Sequence, residues 1–173
     1  SPTELSGLKL WLDASDSSTI THSANAVSQW NDKSGNNNHA TQSTGSNQPT
    51  TGANAQNGGN VLTFDGTNDG FSLSQDISEA NLNAFVVLKG HGYLFSNNND
   101  ARSLFYDSGS GRRFWWTVGS EIFNDSSAVG YVDSAYQLHE FSVSPGNATL
   151  RINGSQSLTS GSASGNFKID RIG

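Results

Sequence analysis

Apolar residues recur along the chain in short alternating runs, separated by clusters of Gly, Asn, Asp and Ser. A period of two places successive side chains on opposite faces of a strand. Residues 8–13 (LKLWLD) fit that period, with Leu8, Leu10 and Leu12 on one face and Lys9, Trp11 and Asp13 on the other. Residues 27–32 (VSQWND) form a second extended piece, followed by a long polar loop that reaches Gly59. Residues 61–73 (VLTFDGTNDGFSL) then read as two short strands joined by an acidic turn. Gly66 and Gly70 there tolerate positive φ, and Asp65, Asn68 and Asp69 offer side-chain oxygens.

Beyond this hairpin, Asp76 and Glu79 have capping-box spacing, so residues 77–82 predict a turn or two of helix. Residues 83–89 (NAFVVLK) are apolar on both faces and predict a central strand covered on both sides. Further strands are expected at 93–96, 102–106, 113–118, 130–132, 136–143, 149–152 and 167–171. Asn153-Gly154 is the strongest tight-hairpin signal. A dozen short strands with frequent turns predict an all-β fold, a two-sheet antiparallel β-sandwich of the jelly-roll kind. No repeat or linker divides residues 1–173, so a single domain is expected.

Composition changes this picture little. Only 33% of the chain is hydrophobic and 14% charged, and Asn matches Gly at 19 residues each. The 10% aromatic content and the regular apolar triplets argue for an ordered, loop-rich β protein rather than disorder. A net charge of −6 disfavours nucleic acid and anionic membranes as partners, because no basic stripe is present to release counterions. The lack of cysteine rules out disulfides, thiolate metal sites and cysteine catalysis. No apolar run is long enough to insert in a membrane. The polar, lysine-poor surface suits an extracellular setting, and the missing initiator Met suggests a processed product or a piece of a longer chain.

Four stretches together carry a resemblance: GLKLWLDAS at 7–15, VSQWNDKSGNNNHATQ at 27–42, LTFDGTNDG at 62–70 and YQLHEFSVSPGNATLRINGS at 136–155. They resemble the concanavalin A-like sandwich domains of the laminin-G and pentraxin type, more narrowly the bacterial and phage versions opening with an LWLDAS strand. The resemblance implies a jelly roll serving in binding or adhesion within a larger secreted or virion protein. It also implies a further closing strand beyond Arg171-Ile172-Gly173. The expectation is therefore an edge completed by another segment or subunit, through homo-oligomerisation or strand exchange.

Catalysis is not expected. Glucanases on this fold carry alternating carboxylates along one strand, and none of Glu4, Glu79, Glu121 and Glu140 has an acidic partner two or four residues away on a strand; Glu121 and Asp125 come nearest, but the FND between them reads as a turn. His22, His39, His91 and His139 show no metal-ligand spacing. Calcium is a candidate at the oxygen-rich turns: Asp65, Asn68 and Asp69, with Asp100 from the run 97–100, and Asp13 with Asp16. Turn chemistry without an ion explains the same residues. The strongest ligand-binding candidate is GRRFWWTV at 111–118. Phe114, Trp116 and Val118 share an inward face there, which leaves Trp115 outward beside Arg113. An exposed indole beside polar donors suits stacking on a sugar, and Tyr93, His91 and Asn98 complete the candidate set. Trp11 and Trp30 are expected to be structural, with their indole N–H groups bonded to loop carbonyls. The sequence thus predicts a non-enzymatic recognition or adhesion module, a lectin-like domain taking a glycan or a protein surface. The second reading is a structural decoration, fibre or filament subunit.

Overall fold

The computed structural model describes residues 1–90, 92–96, 104–106, 134–160, 163 and 165–173. The chain is all-β, with two antiparallel sheets forming a β-sandwich. Its strands are β1 (Ile20–Ser23), β2 (Ala26–Trp30), β3 (Ala40–Thr41), β4 (Thr50–Gln56), β5 (Gly59–Thr63) and β6 (Phe71–Glu79). They continue with β7 (Leu82–Leu88), β8 (Gly92–Ser96), β9 (Leu104–Tyr106), β10 (Gln137–Ser144), β11 (Asn147–Ile152), β12 (Ser155–Ser160) and β13 (Phe167–Ile172). The larger sheet runs β5-β4-β2-β3-β6-β13-β8-β9 with β1 beside β2, and the smaller runs β12-β11-β10-β7. The chain divides into two compact units, residues 1–76 with 170–173, and residues 77–169.

In the first unit, residues 8–13 join no ladder, contrary to the strand that their alternation predicts. Two side chains and one backbone bond hold them instead. The Trp11 N–H donates to Asp32 Oδ1 at 2.9 Å, the Asn36 amide donates to the Leu8 and Lys9 carbonyls, and the Lys33 N–H donates to the Trp11 carbonyl. The next two strands form a hairpin through Ala24 and Asn25, at φ 46° and 71°. Both residues sit in the left-handed region that a tight two-residue turn demands.

The polar stretch before Gly59 is not a loop. It contains β3, a 3₁₀ turn at Gly45–Asn47 and all of β4. β4 turns into β5 through Asn57-Gly58, with φ of 50° and 78°. That tight turn captures β5, so residues 61–73 are not a hairpin: β5 pairs with β4, while β6 pairs with β3 through Ala40↔Leu73 and Thr41↔Ser72. A two-residue connection closes at an entropic cost about 1 kcal/mol below that of the six-residue DGTNDG turn. Val27, Ala40, Phe71 and Leu73 are buried here, and Phe71 packs edge-on to Phe64 at 6.0 Å and tilted to Trp30 at 6.3 Å.

In the second unit, residues 77–79 continue β6 as strand where a helical turn was expected. Ile77 is buried between exposed Asp76 and Ser78, the signature of a half-buried strand. β7, β10 and β11 alternate inward and outward along their length. Their inner faces supply Phe141, Val143, Ala148, Leu150 and Ile152 to the core. Ile77, Phe95, Phe167 and Ile169 join them, with Phe95 and Phe167 meeting edge to face at 6.5 Å. β10 and β11 join at Pro145-Gly146, and β11 and β12 at Asn153-Gly154. The Asn153 turn is clamped back onto β10: its N–H donates to the Leu138 carbonyl at 2.8 Å, and its side-chain Oδ1 accepts from the Leu138 N–H at 2.9 Å. Among the described residues β7 lies at the end of the smaller sheet rather than at its centre. Phe85 and Val87 point outward and are about three-fifths exposed (61% and 60%), which corrects the expectation of a strand covered on both faces.

Candidate functional site

Trp115, Arg113, His91, Asn98 and Asp100 lie outside the described residues, and Tyr93 lies on β8, its side chain likewise outside them. The stacking site expected around Trp115 therefore has no described geometry. The polar clusters of the first unit and an outward patch of the second do.

Asp32 organises the first cluster. Its carboxylate accepts from the Trp11 N–H at 2.9 Å, the Ser34 N–H at 2.8 Å, the Ser34 hydroxyl at 2.7 Å and the Asn38 N–H at 3.0 Å. Its own N–H donates to His39 Nδ1 at 3.1 Å. Asp32 is buried, and burial alone would push its carboxyl up, but the four donors outweigh it and hold the group below the usual range. The W-x-D-x-S-G-N block thus ties the chain entrance to the β2–β3 connection. Trp30 packs on Phe71 as expected of a structural residue, but its Nε1 has no hydrogen-bond partner among the described residues, so no loop carbonyl takes it.

Beside that cluster, Asp13 and Asp16 face a built-in cation. The Lys33 ammonium lies 3.0 Å from Asp13 Oδ2 and 2.8 Å from Asp16 Oδ2, and 4.5 Å from the centre of the Trp11 ring. The remaining carboxylate oxygens take the Ser15 and Ser18 hydroxyls and N–H groups. The Ser15 hydroxyl and Lys33 hold Asp13 down, and Lys33 with the Ser18 hydroxyl lowers Asp16 to about 2. Lys33 is raised in turn, first by Asp16. The ammonium stands where a bound cation would be needed between these two carboxylates.

The acidic turn at 65–69 is closed on itself. Asp65 Oδ1 accepts from the N–H groups of Thr67, Asn68 and Asp69 at 2.8, 3.1 and 3.2 Å, and Asp69 Oδ2 accepts from the Asp65 N–H at 2.9 Å. Those donors, Thr67 foremost, lower Asp65, whereas burial raises Asp69. Asn68 reaches Asn47 of the 3₁₀ turn. Among the described residues no group of three His, Cys, Asp or Glu side chains is placed to hold a metal.

On the second unit, the outward face of the smaller sheet carries a patch that the sequence pattern did not point to. Cross-strand pairs Val87↔Leu138 and Phe85↔Glu140 set these residues side by side, with Leu138 41% exposed. Glu140 pairs with Arg151 of β11, whose Nη1 lies 3.3 Å from Oε1. At the other end the Lys89 ammonium sits 5.8 Å from the centre of the Tyr136 ring. The patch is an apolar centre with an ion pair on one side and an aromatic–cation pair on the other. On the opposite face of β10, His139 is fully buried between Val86 and Ile152, and desolvation lowers it to about 4.

Comparison of the chain with protein-family models, curated proteins and solved structures returns no match.

Proposed function

We propose that this chain is a non-enzymatic recognition or adhesion module, of the concanavalin A-like kind its motifs resemble, that takes a glycan or a protein surface outside the cell or on a virion. The observation that carries this reading is the outward patch of Phe85, Val87 and Leu138 on the smaller sheet. Outward strand positions of a half-solvated sheet are ordinarily polar, and contiguous apolar exposure rimmed by polar groups marks a docking surface. Phe85 offers an aromatic face, while Glu140, Arg151 and Lys89 offer hydrogen bonds around it, the combination that sugar recognition uses. Trp115 with Arg113, Tyr93, His91 and Asn98 remains the second part of the proposed ligand set.

The structural-subunit reading draws on the same patch, since copies of the chain can also associate through an apolar sheet face. Glycan-array binding separates the two. Binding that is lost in Phe85→Ser and Trp115→Ala, with the fold retained, supports recognition of a glycan. Concentration-dependent assembly in light scattering, abolished by Phe85→Ser without any glycan binding, favours the structural subunit.

A further inference from the structure

The chain contains the dipeptide Asn-Gly twice in the two-residue tips of hairpins, at 57–58 and 153–154. Asparagine before glycine is the pairing most open to cyclisation, because glycine puts no side chain in the way of its own nitrogen. Both asparagines have φ of 50°, so their backbones start from the same conformation. Their side chains do not.

Asn153 is held at two points. Its N–H and its Oδ1 both engage the Leu138 backbone of β10, at 2.8 and 2.9 Å, replacing one rung of a strand ladder. Ring closure must swing its carboxamide onto the Gly154 nitrogen and so break the bond that Oδ1 accepts from the Leu138 N–H. Asn57 is exposed, and its carboxamide has a single long contact, from Gln56 Nε2 at 3.4 Å. The hairpin behind it is held more by side chains than by ladder rungs: Asn60 Oδ1 accepts from the Gly52 N–H, Asn60 Nδ2 donates to Thr51 Oγ1 and the Ala14 carbonyl, and Asn54 Nδ2 donates to Thr63 Oγ1. Its register shifts between Thr51 and Ala55, leaving only Ala55↔Asn60 and Gln56↔Gly59 paired at the tip, and residues 52–55 are exposed. Few buried contacts and exposed ladder bonds make local opening cheap.

We infer that Asn57 is a self-modification site of this protein, and that Asn153 is kept inert by its clamp. The Gly58 backbone nitrogen loses its proton and attacks Asn57 Cγ. A new C–N bond closes a succinimide ring, the Cγ–Nδ2 bond breaks, and ammonia leaves with the proton it needs. Water then opens the ring at either carbonyl, giving an aspartyl or an isoaspartyl residue at that position. Either product adds a negative charge to the tip, and the isoaspartyl form inserts a methylene into the main chain. A two-residue turn has no slack for that extra atom.

The other Gly-preceding candidates among the acidic turns are tied. Asp65 Oδ1 holds three N–H groups, and the Gly70 nitrogen that Asp69 would need donates to the Asn47 carbonyl at 3.1 Å.

The test ages the full chain in mildly alkaline buffer, folded and in urea, and follows both asparagines by peptide mass spectrometry and isoaspartyl methyl-transfer labelling. In the folded protein Asn153 should convert at least about fivefold more slowly than Asn57, the factor that one hydrogen bond of ordinary net strength imposes on a rate. In urea the two should convert at comparable rates. Comparable rates in the folded protein, no conversion at Asn57, or a slow Asn153 that stays slow in urea would each overturn the inference.

Discussion

Replacing Asp32 with Asn is the sharpest test of how the first unit is held. The carboxylate accepts four hydrogen bonds, two on each oxygen: Trp11 N–H and Ser34 N–H on Oδ1, Ser34 hydroxyl and Asn38 N–H on Oδ2. An amide keeps Oδ1 as an acceptor but turns Oδ2 into an NH₂ group. The Ser34 hydroxyl can reverse and accept from it, whereas the buried Asn38 N–H then faces another donor. One bond to a charged acceptor is lost and one buried N–H is stranded, which together cost about 2 kcal/mol. Asp32→Ala strands three backbone N–H groups and should cost about 4 kcal/mol, less than the simple sum because water reaches the half-exposed Ser34. For a chain of this size those losses lower Tm by roughly 6 and 12 °C. Urea titration followed by tryptophan fluorescence measures both. The pH dependence supplies an independent arm. The native carboxyl lies below the ordinary value of 3.8, so its contribution is present above that value and fades as pH falls through the depressed native one. Asp32→Asn should flatten that acid limb. A variant within about 0.5 kcal/mol of the parent, with an unchanged acid limb, would refute the reasoning.

Three further outcomes are expected. His139 is buried neutral at about 4, so its stabilisation is complete above the ordinary value of 6.5 and is lost as pH falls from there to 4, by about 3 kcal/mol at most; a His139→Gln variant should lose that slope in urea melts at stepped pH, and an unchanged slope would assign it elsewhere. Ala24 sits at φ 46° in the β1–β2 turn, so Ala24→Gly should raise stability by about 1 kcal/mol, and a loss on chemical denaturation would contradict a strained turn. With Asp65 Oδ1 and Asp69 Oδ2 engaged by N–H groups and Lys33 between Asp13 and Asp16, neither calcium nor a chelator should move the thermal midpoint. A rise with calcium would show that the remaining oxygens take the ion.

How far the sequence foretells this molecule can be followed residue by residue. The strand period and turn spacing point to the all-β sandwich, and β2, β10, β11 and β13 lie close to where alternation puts them. The pattern fails where a partner elsewhere in the chain decides the outcome. Residues 8–13 have a strand's alternation but are bound by Asp32 and Asn36 side chains. DGTNDG resembles a hairpin turn only while Asn57-Gly58 is hidden in a polar stretch, although it is the same signal that marks the tip at Asn153-Gly154. The helical turn expected at 77–82 rests on two acidic residues at the right spacing, but β6 continues through them. β7 misleads in another way: a run apolar on both faces is indistinguishable from a doubly covered strand, and only Leu138 and Glu140 opposite it reveal which face is solvated. Of the candidate sites, the oxygen-rich turns are legible as residues but not as bonds. Nothing in the sequence announces that Lys33, far from Asp13 in the chain, comes between the two carboxylates.

The pairing of β7 with β10, at the end of the smaller sheet among the described strands, bears on the order in which the protein assembles. β10, β11 and β12 are joined by short turns, so they can zip together as a local meander. The Leu88↔Gln137 pair joins positions 49 apart in the chain, and that loop must close before the pairing of β7 gives any return. Folding should therefore be slow, on the order of milliseconds to seconds, with β7 docking late. Until it docks, the inward residues Val86 and Leu88 are open to solvent along with outward Phe85 and Val87. This is the stage at which a crowded preparation would lose material to aggregates. Dilution and low temperature during refolding should then raise yield more than any change in salt.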